Sequence, residues 1–137
     1  MIGIEKWRHE DHWELVSSWV RARGLGADLG DRDCYPHTGL IVGGCVAGWL
    51  YLTNSAMAWT GGFISDPAAS TEHRRACIPV LIRQLALWAR QSHAHVVVAF
   101  PGPPSLAEAF YDEGFDLDTR KHSYVRNDLR KAGIPCL

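Results

Sequence analysis

Cysteine and histidine are the side chains best suited to ligating a metal or moving a proton, and the chain carries four of the first and seven of the second. Cys34, Cys45, Cys77 and Cys136 are scattered without a CxxC pair, which matches neither a disulfide framework nor a zinc spacing. The local pairs His9/His12 and His93/His95 have no carboxylate or cysteine at ligand spacing, so the expectation is reduced thiols and no metal. A loop histidine such as His37 has the unperturbed pKa, about 6.5, of a useful base, although most such residues are simply surface groups. The basic run His73-Arg74-Arg75 offers charge-assisted contacts to phosphate oxygens, and equally suits a solvated helix start. Gly61-Gly62, inside an apolar run, marks either a bulge or a close backbone approach by a ligand.

These groups need elements to position them, and glycine and proline divide the chain into short ones. Ile2 to Trp7 reads as an opening strand, and Asp11 with Glu14 makes a capping-box start for a helix whose apolar face is Leu15, Val16, Trp19 and Val20. Gly24 and Gly26 end it, and Leu25 to His37 is a polar stretch too irregular for a firm element. The runs Leu40–Val42, Val46–Leu52 and Met57–Ser65, joined by Gly43-Gly44 and Asn54-Ser55, form an antiparallel meander. After the polar loop Ala68 to Glu72, the stripe Ile78, Leu81, Ile82, Leu85, Trp88 and Ala89 is the strongest helix signal in the chain. Val96 to Phe100 is a continuous apolar run of the kind a buried, parallel-paired strand shows. Ser105 then caps a short helix, Leu106 to Asp112, closed by Gly114, and two last strands are expected at Phe115–Leu117 and His122–Asn127.

Composition narrows the function classes. With 14 Lys+Arg against 15 Asp+Glu, the net charge of −1 gives no basic footprint for nucleic acid, which is not expected as a partner. The longest apolar runs fall far short of the ~20 residues of a membrane span, and the first residues have no secretory pattern. The expectation is one cytoplasmic domain over residues 1–137, large enough to bury a core without staples. Six tryptophans exceed what a small core needs, which makes a homodimer surface a candidate; Trp19 and Trp88 fall at core positions.

The order strand, helix, three-strand meander, long helix, buried strand, short helix closed by Gly-Phe, final strand resembles the GCN5-related N-acetyltransferase family over nearly the whole chain. Phe63-Ile64-Ser65-Asp66-Pro67 followed by His73-Arg74-Arg75 and the long helix is similar to the family's acetyl-CoA segment. Leu106 to Phe115 is similar to its second cofactor segment. The resemblance implies an α/β (α+β) fold with a mixed, mostly antiparallel sheet of six to seven strands flanked by helices. It also implies acetyl transfer from acetyl-CoA to a primary amine, on a small molecule or a protein lysine. A catalytically inactive module of the same fold, binding a protein partner or a small ligand, is the alternative.

On this resemblance the cofactor lies along Phe63, Ile64 and Ser65, with its pyrophosphate on the hexapeptide His73, Arg74, Arg75, Ala76, Cys77 and Ile78. A helix N-terminus presents free N–H groups and a positive dipole end there. Ala76 and Ile78 replace the family's two glycines, and Pro79 removes an N–H. Tyr111 is the implied acid for the leaving thiolate, with Phe110 its competitor, because one residue on a helix is about 100° of rotation. Asp66 is the implied catalytic carboxylate, with Glu72 and His37 as other candidates for the base. Asp33, Tyr35, His37 and Tyr124 fall on the implied acceptor surface, where carboxylates and aromatics suit a cationic amine.

Overall fold

A computed structural model describes residues 1–26 and 31–116. Five strands among them form one sheet in the order of the chain: β1 (Ile4–Lys6), β2 (Gly39–Val42), β3 (Val46–Leu52), β4 (Met57–Ser65) and β5 (Val96–Ala99). The first four pair antiparallel, and β5 runs parallel to β4 from Met57↔Val96 to Thr60↔Ala99. Gly43 and Gly44 both take positive φ, which lets the β2–β3 connection turn within a few residues.

Three helices cover the sheet: α1 (His9–Ala22), α2 (Thr71–Gln91) and α3 (Pro104–Asp112). On one face Cys77, Leu81, Leu85 and Ala89 of α2 pack against Leu40, Val42, Val46 and Leu50. Full burial of a leucine contributes about 1.5–3 kcal/mol, so Leu81 and Leu85 alone anchor this helix firmly. On the other face Val16 and Trp19 of α1 join Trp7, Ile41, Ala47 and Trp49. Trp88 is half-buried rather than a core residue, with the Lys6 ammonium 5.7 Å from its ring centre.

Four local expectations change. Ser105 does not cap α3, which starts at Pro104 after Pro103 with no side-chain cap, since a proline suits the first helical position. The Asp11/Glu14 capping box is not used: α1 starts three residues earlier, after Arg8 as N-cap, whose backbone N–H donates to His12 Nδ1 at 2.9 Å while its side chain pairs with Asp11. Ser70 caps α2 by accepting from the His73 N–H at 3.1 Å, so the helix begins at Thr71 and Pro79 lies within it rather than in its first turn. Phe115 and Asp116 follow the positive-φ Gly114 outside the sheet, and Leu117 and His122–Asn127 lie outside the described residues. The sheet is therefore mixed and mostly antiparallel as expected, with five strands among the described residues instead of six to seven.

Candidate functional site

The sheet opens where β4 outlasts β5. The last β4–β5 pair is Thr60↔Ala99, whereas β4 stays paired to β3 as far as Ser65. Just there β4 bulges: Ala47 faces Ile64 and Trp49 faces Gly61, two steps along β3 against three along β4. Gly62 takes φ +69° in the bulge. A bulge bends its strand and increases twist, which turns β4 away from β5. Pro101, which has no N–H, follows Phe100 and ends β5 on the other side. The fork between the strands holds a cavity of about 260 Å³ lined by Thr60, Gly61, Gly62, Phe63, Phe100, Pro101, Gly102, Pro103, Leu106 and Phe110.

The cleft therefore has an apolar floor and one open strand edge. Among the described residues no strand pairs with the far side of β4 from Gly61 to Ser65, which leaves backbone groups there for an extended ligand. Ligands of open sheets with parallel strands sit beyond the carboxyl ends of those strands, and this fork is such a place. A larger hollow of about 460 Å³, lined by Ala86, Arg90, His93, Ala94, His95 and Val97, lies at the opposite, amino end of β5.

Of the expected cofactor residues, Phe63 lines the cleft, its ring 5.4 Å from that of Phe110. Ile64 turns to the α1 face. Ser65 is already engaged, its carbonyl and hydroxyl accepting from Arg23 at 3.0 and 2.7 Å. His73 to Ile78 form the first turns of α2, not a loop. Arg74 turns back, its guanidinium donating to the carbonyls of Asp66 and Pro67 at 3.0 and 3.3 Å and to Thr71 Oγ1 at 3.3 Å. It braces the β4–α2 connection, while Arg75 and Ala76 are exposed.

The expected catalytic pair does not converge on the cleft. Phe110 is buried in its wall and Tyr111 is 60% exposed outside it. Phe110 holds the inner position because its ring packs between Phe63 and Phe115, which leaves Tyr111 about 100° further round α3. Asp66 is half-buried at the start of the β4–α2 connection; its N–H donates to the Cys45 carbonyl at 2.8 Å, and its carboxylate accepts from the Ala68 N–H at 2.8 Å. Glu72 is exposed in the first turn of α2.

On the expected acceptor side, Tyr35 packs edge-on to both Trp13 and Trp49, with ring centres 5.3 and 4.8 Å away. Its phenol is pushed up from the usual range by burial first and by nearby Cys34 second. A Cβ added at Gly62 would come within 3.9 Å of the Tyr35 ring, so this residue lies beneath the bulge. His37 stacks on buried His9 at 4.2 Å, Asp33 is exposed with its N–H bonded to Asp31, and Tyr124 lies outside the described residues.

The chain folds like acetyltransferases of known structure. A provisionally named acetyltransferase from Agrobacterium tumefaciens str. C58 aligns with a TM-score of 0.61 at 12% identity, covering 91% of this chain and 99% of that one. An acetyltransferase from Trypanosoma brucei aligns with a TM-score of 0.60 at 13% identity, covering 92% of this chain and 100% of that one. No protein-family model matches the sequence, and no curated protein does. Among the described residues no helix is long and apolar enough to cross a membrane.

One cluster escaped the sequence reading. Cys45, from the β2–β3 turn, meets His73 and Cys77 of α2, their ligand atoms all within 4.8 Å of one another. Burial, and next the hydrogen bond with Cys77, push the Cys45 thiol up to about 11. The signal that was legible is the four-residue step from His73 to Cys77, which places both on one face of a helix; nothing local ties Cys45 to them.

Proposed function

We propose that the chain, as one domain, is an N-acetyltransferase that moves an acetyl group from acetyl-CoA to a primary amine. The observation that carries this reading is the fork between β4 and β5, with its bulge, its open strand edge and its apolar floor. An acyl-pantetheine arm is an extended chain with two amides and an apolar end. Main-chain groups of Gly61 to Phe63 suit its amides, and the Phe63, Leu106 and Phe110 side chains suit the acyl end. In this reading exposed Arg75, near the start of α2, supplies the charge that meets the phosphates, whereas Arg74 holds the β4–α2 connection.

In direct transfer the amine nitrogen attacks the thioester carbonyl carbon, the C–S bond breaks, and the sulfur leaves as thiolate. The nitrogen must arrive neutral and shed one proton, and the thiolate must gain one. No ionisable side chain lines the cleft among the described residues, so solvent carries both protons in this reading. The amine is a small molecule or an exposed lysine, approaching over Tyr35 and Asp33. The same absence of ionisable groups favours one second reading, a non-catalytic module that binds a protein partner or a small ligand in this cleft.

Incubation with acetyl-CoA and a panel of polyamines, amino sugars and lysine peptides, followed by thiol detection, tests the proposal. Amine-dependent release of free thiol is the expected result. Binding of acetyl-CoA without release for any amine class selects the second reading.

A further inference from the structure

Cys45 and Cys77 are buried, at 3% and 0% exposure, whereas His73 stands at the surface one helical turn before Cys77. The two Sγ atoms lie 3.8 Å apart, and His73 Nε2 lies 3.9 Å from Cys77 Sγ. Two sulfurs bound to one tetrahedral zinc at about 2.3 Å stand about 3.8 Å apart, so the sulfur pair already has the spacing of a zinc-bound pair.

The scaffold around the three groups is rigid. Gly43 turns through φ +60° immediately before them, and a Cβ there would collide with Cys77 Sγ and His73 Nε2. The chain thus passes against the cluster with no side chain between. His73 is fixed at the backbone by Ser70 and at the ring by a 3.0 Å hydrogen bond between Nε2 and the Gly43 carbonyl. Packing alone accounts for two small apolar thiols under α2. The Gly43 carbonyl holds an imidazole nitrogen at the same point, where a coordinate bond can take the place of that hydrogen bond.

We propose that Cys45, His73 and Cys77 form a binding site for a single thiophilic divalent cation of the zinc type, joining the β2–β3 turn to the first turns of α2. The two thiols release their protons to solvent and neutralise the cation as thiolates, the His73 ring carries its proton on Nδ1 so that Nε2 exchanges its bond to the Gly43 carbonyl for a coordinate bond, and the fourth position faces solvent because His73 is exposed. The site shares no lining residue with the cleft, so the cation here acts on the fold and not at the thioester.

The test is titration of reduced, metal-free protein with cobalt(II), which occupies tetrahedral zinc sites and reports thiolate ligation by charge-transfer absorption, followed by zinc(II) competition. One equivalent of cobalt should bind with tetrahedral visible bands, and one equivalent of zinc should displace it. His73→Ala, at an exposed position that leaves the core intact, should weaken binding by more than about 100-fold, the upper end of what losing only an outer hydrogen-bond partner costs. Cys77→Ser should abolish the charge-transfer band, and Cys34→Ser, at an exposed thiol, should leave it unchanged. Absence of stoichiometric cobalt binding overturns the site, as does a band that persists in both His73→Ala and Cys77→Ser. These readouts involve no acyl donor, so they stand or fall separately from the proposed transferase activity.

Discussion

Gly62 passes over the indole of Trp49 so closely that a Cβ at Gly62 would lie 2.9 Å from Trp49 Cε3, and it does so at φ +69°. Trp49 is 1% exposed at the centre of the α1-side core, so it cannot withdraw. The bulge that opens the fork is therefore seated on the core.

Gly62→Ala should cost about 1–3 kcal/mol, combining left-handed strain with the clash on Trp49. Gly61→Ala, whose Cβ meets nothing within 4 Å, should be close to neutral. Urea midpoints of the two variants check the contrast; equal midpoints would contradict the account of the bulge.

Phe110 and Tyr111 should separate cleanly. Phe110→Ala removes a 3%-exposed ring between Phe63 and Phe115 and should cost about 3 kcal/mol in urea unfolding. Tyr111→Phe should leave both the midpoint and the rate of thiol release near wild type, far from the roughly 10²–10⁴-fold loss that follows removal of a general acid. A loss on that scale would show that Tyr111 reaches the leaving sulfur.

The two arginines should also part company. Arg74→Ala should lower stability by about 1 kcal/mol, because the carbonyls of Asp66 and Pro67 lose a charged donor at a half-exposed site. Arg75→Ala should leave stability alone and weaken acetyl-CoA binding about tenfold, the worth of one charge-assisted phosphate contact. Thermal melts and calorimetric titration separate the effects.

Tyr35 predicts a loss of stability in alkali. Burial keeps its phenol protonated, so the folded-state pKa lies above the unfolded value of about 10. The native state then binds more protons than the unfolded state in that window, and stability falls as pH rises through it. The urea midpoint should drop from about pH 9 upward, first through Cys45, whose thiol is pushed up to about 11, and from pH 10 through Tyr35 as well; Tyr35→Phe should reduce only the part above pH 10.

How much of this was legible in the sequence depended on how local each signal was. The Gly43-Gly44 and Asn54-Ser55 turns marked out the meander because turn chemistry acts within a few residues, and Val96 to Ala99 pairs parallel to β4 as its unbroken apolar run implies. Burial of that strand was overstated, since Val96 is 51% exposed. The Asp11/Glu14 box misled because a histidine four residues after Arg8 supplies the acceptor that pattern assigns to a glutamate. The Phe110/Tyr111 choice turned on whether a ring could pack between Phe63 and Phe115, which no helical spacing encodes. Cys45 and Cys77 lie 32 residues apart and meet only because α2 crosses the end of a hairpin.

Isothermal titration of the chain with acetyl-CoA, beside Gly61→Trp, tests the central claim most directly. Gly61 lines the cleft and has open space at its Cβ, so an indole there fills the fork without disturbing the core. The account predicts saturable binding by the wild type, and its loss in Gly61→Trp at an unchanged melting temperature. Equal binding by both proteins, or by neither, would contradict it.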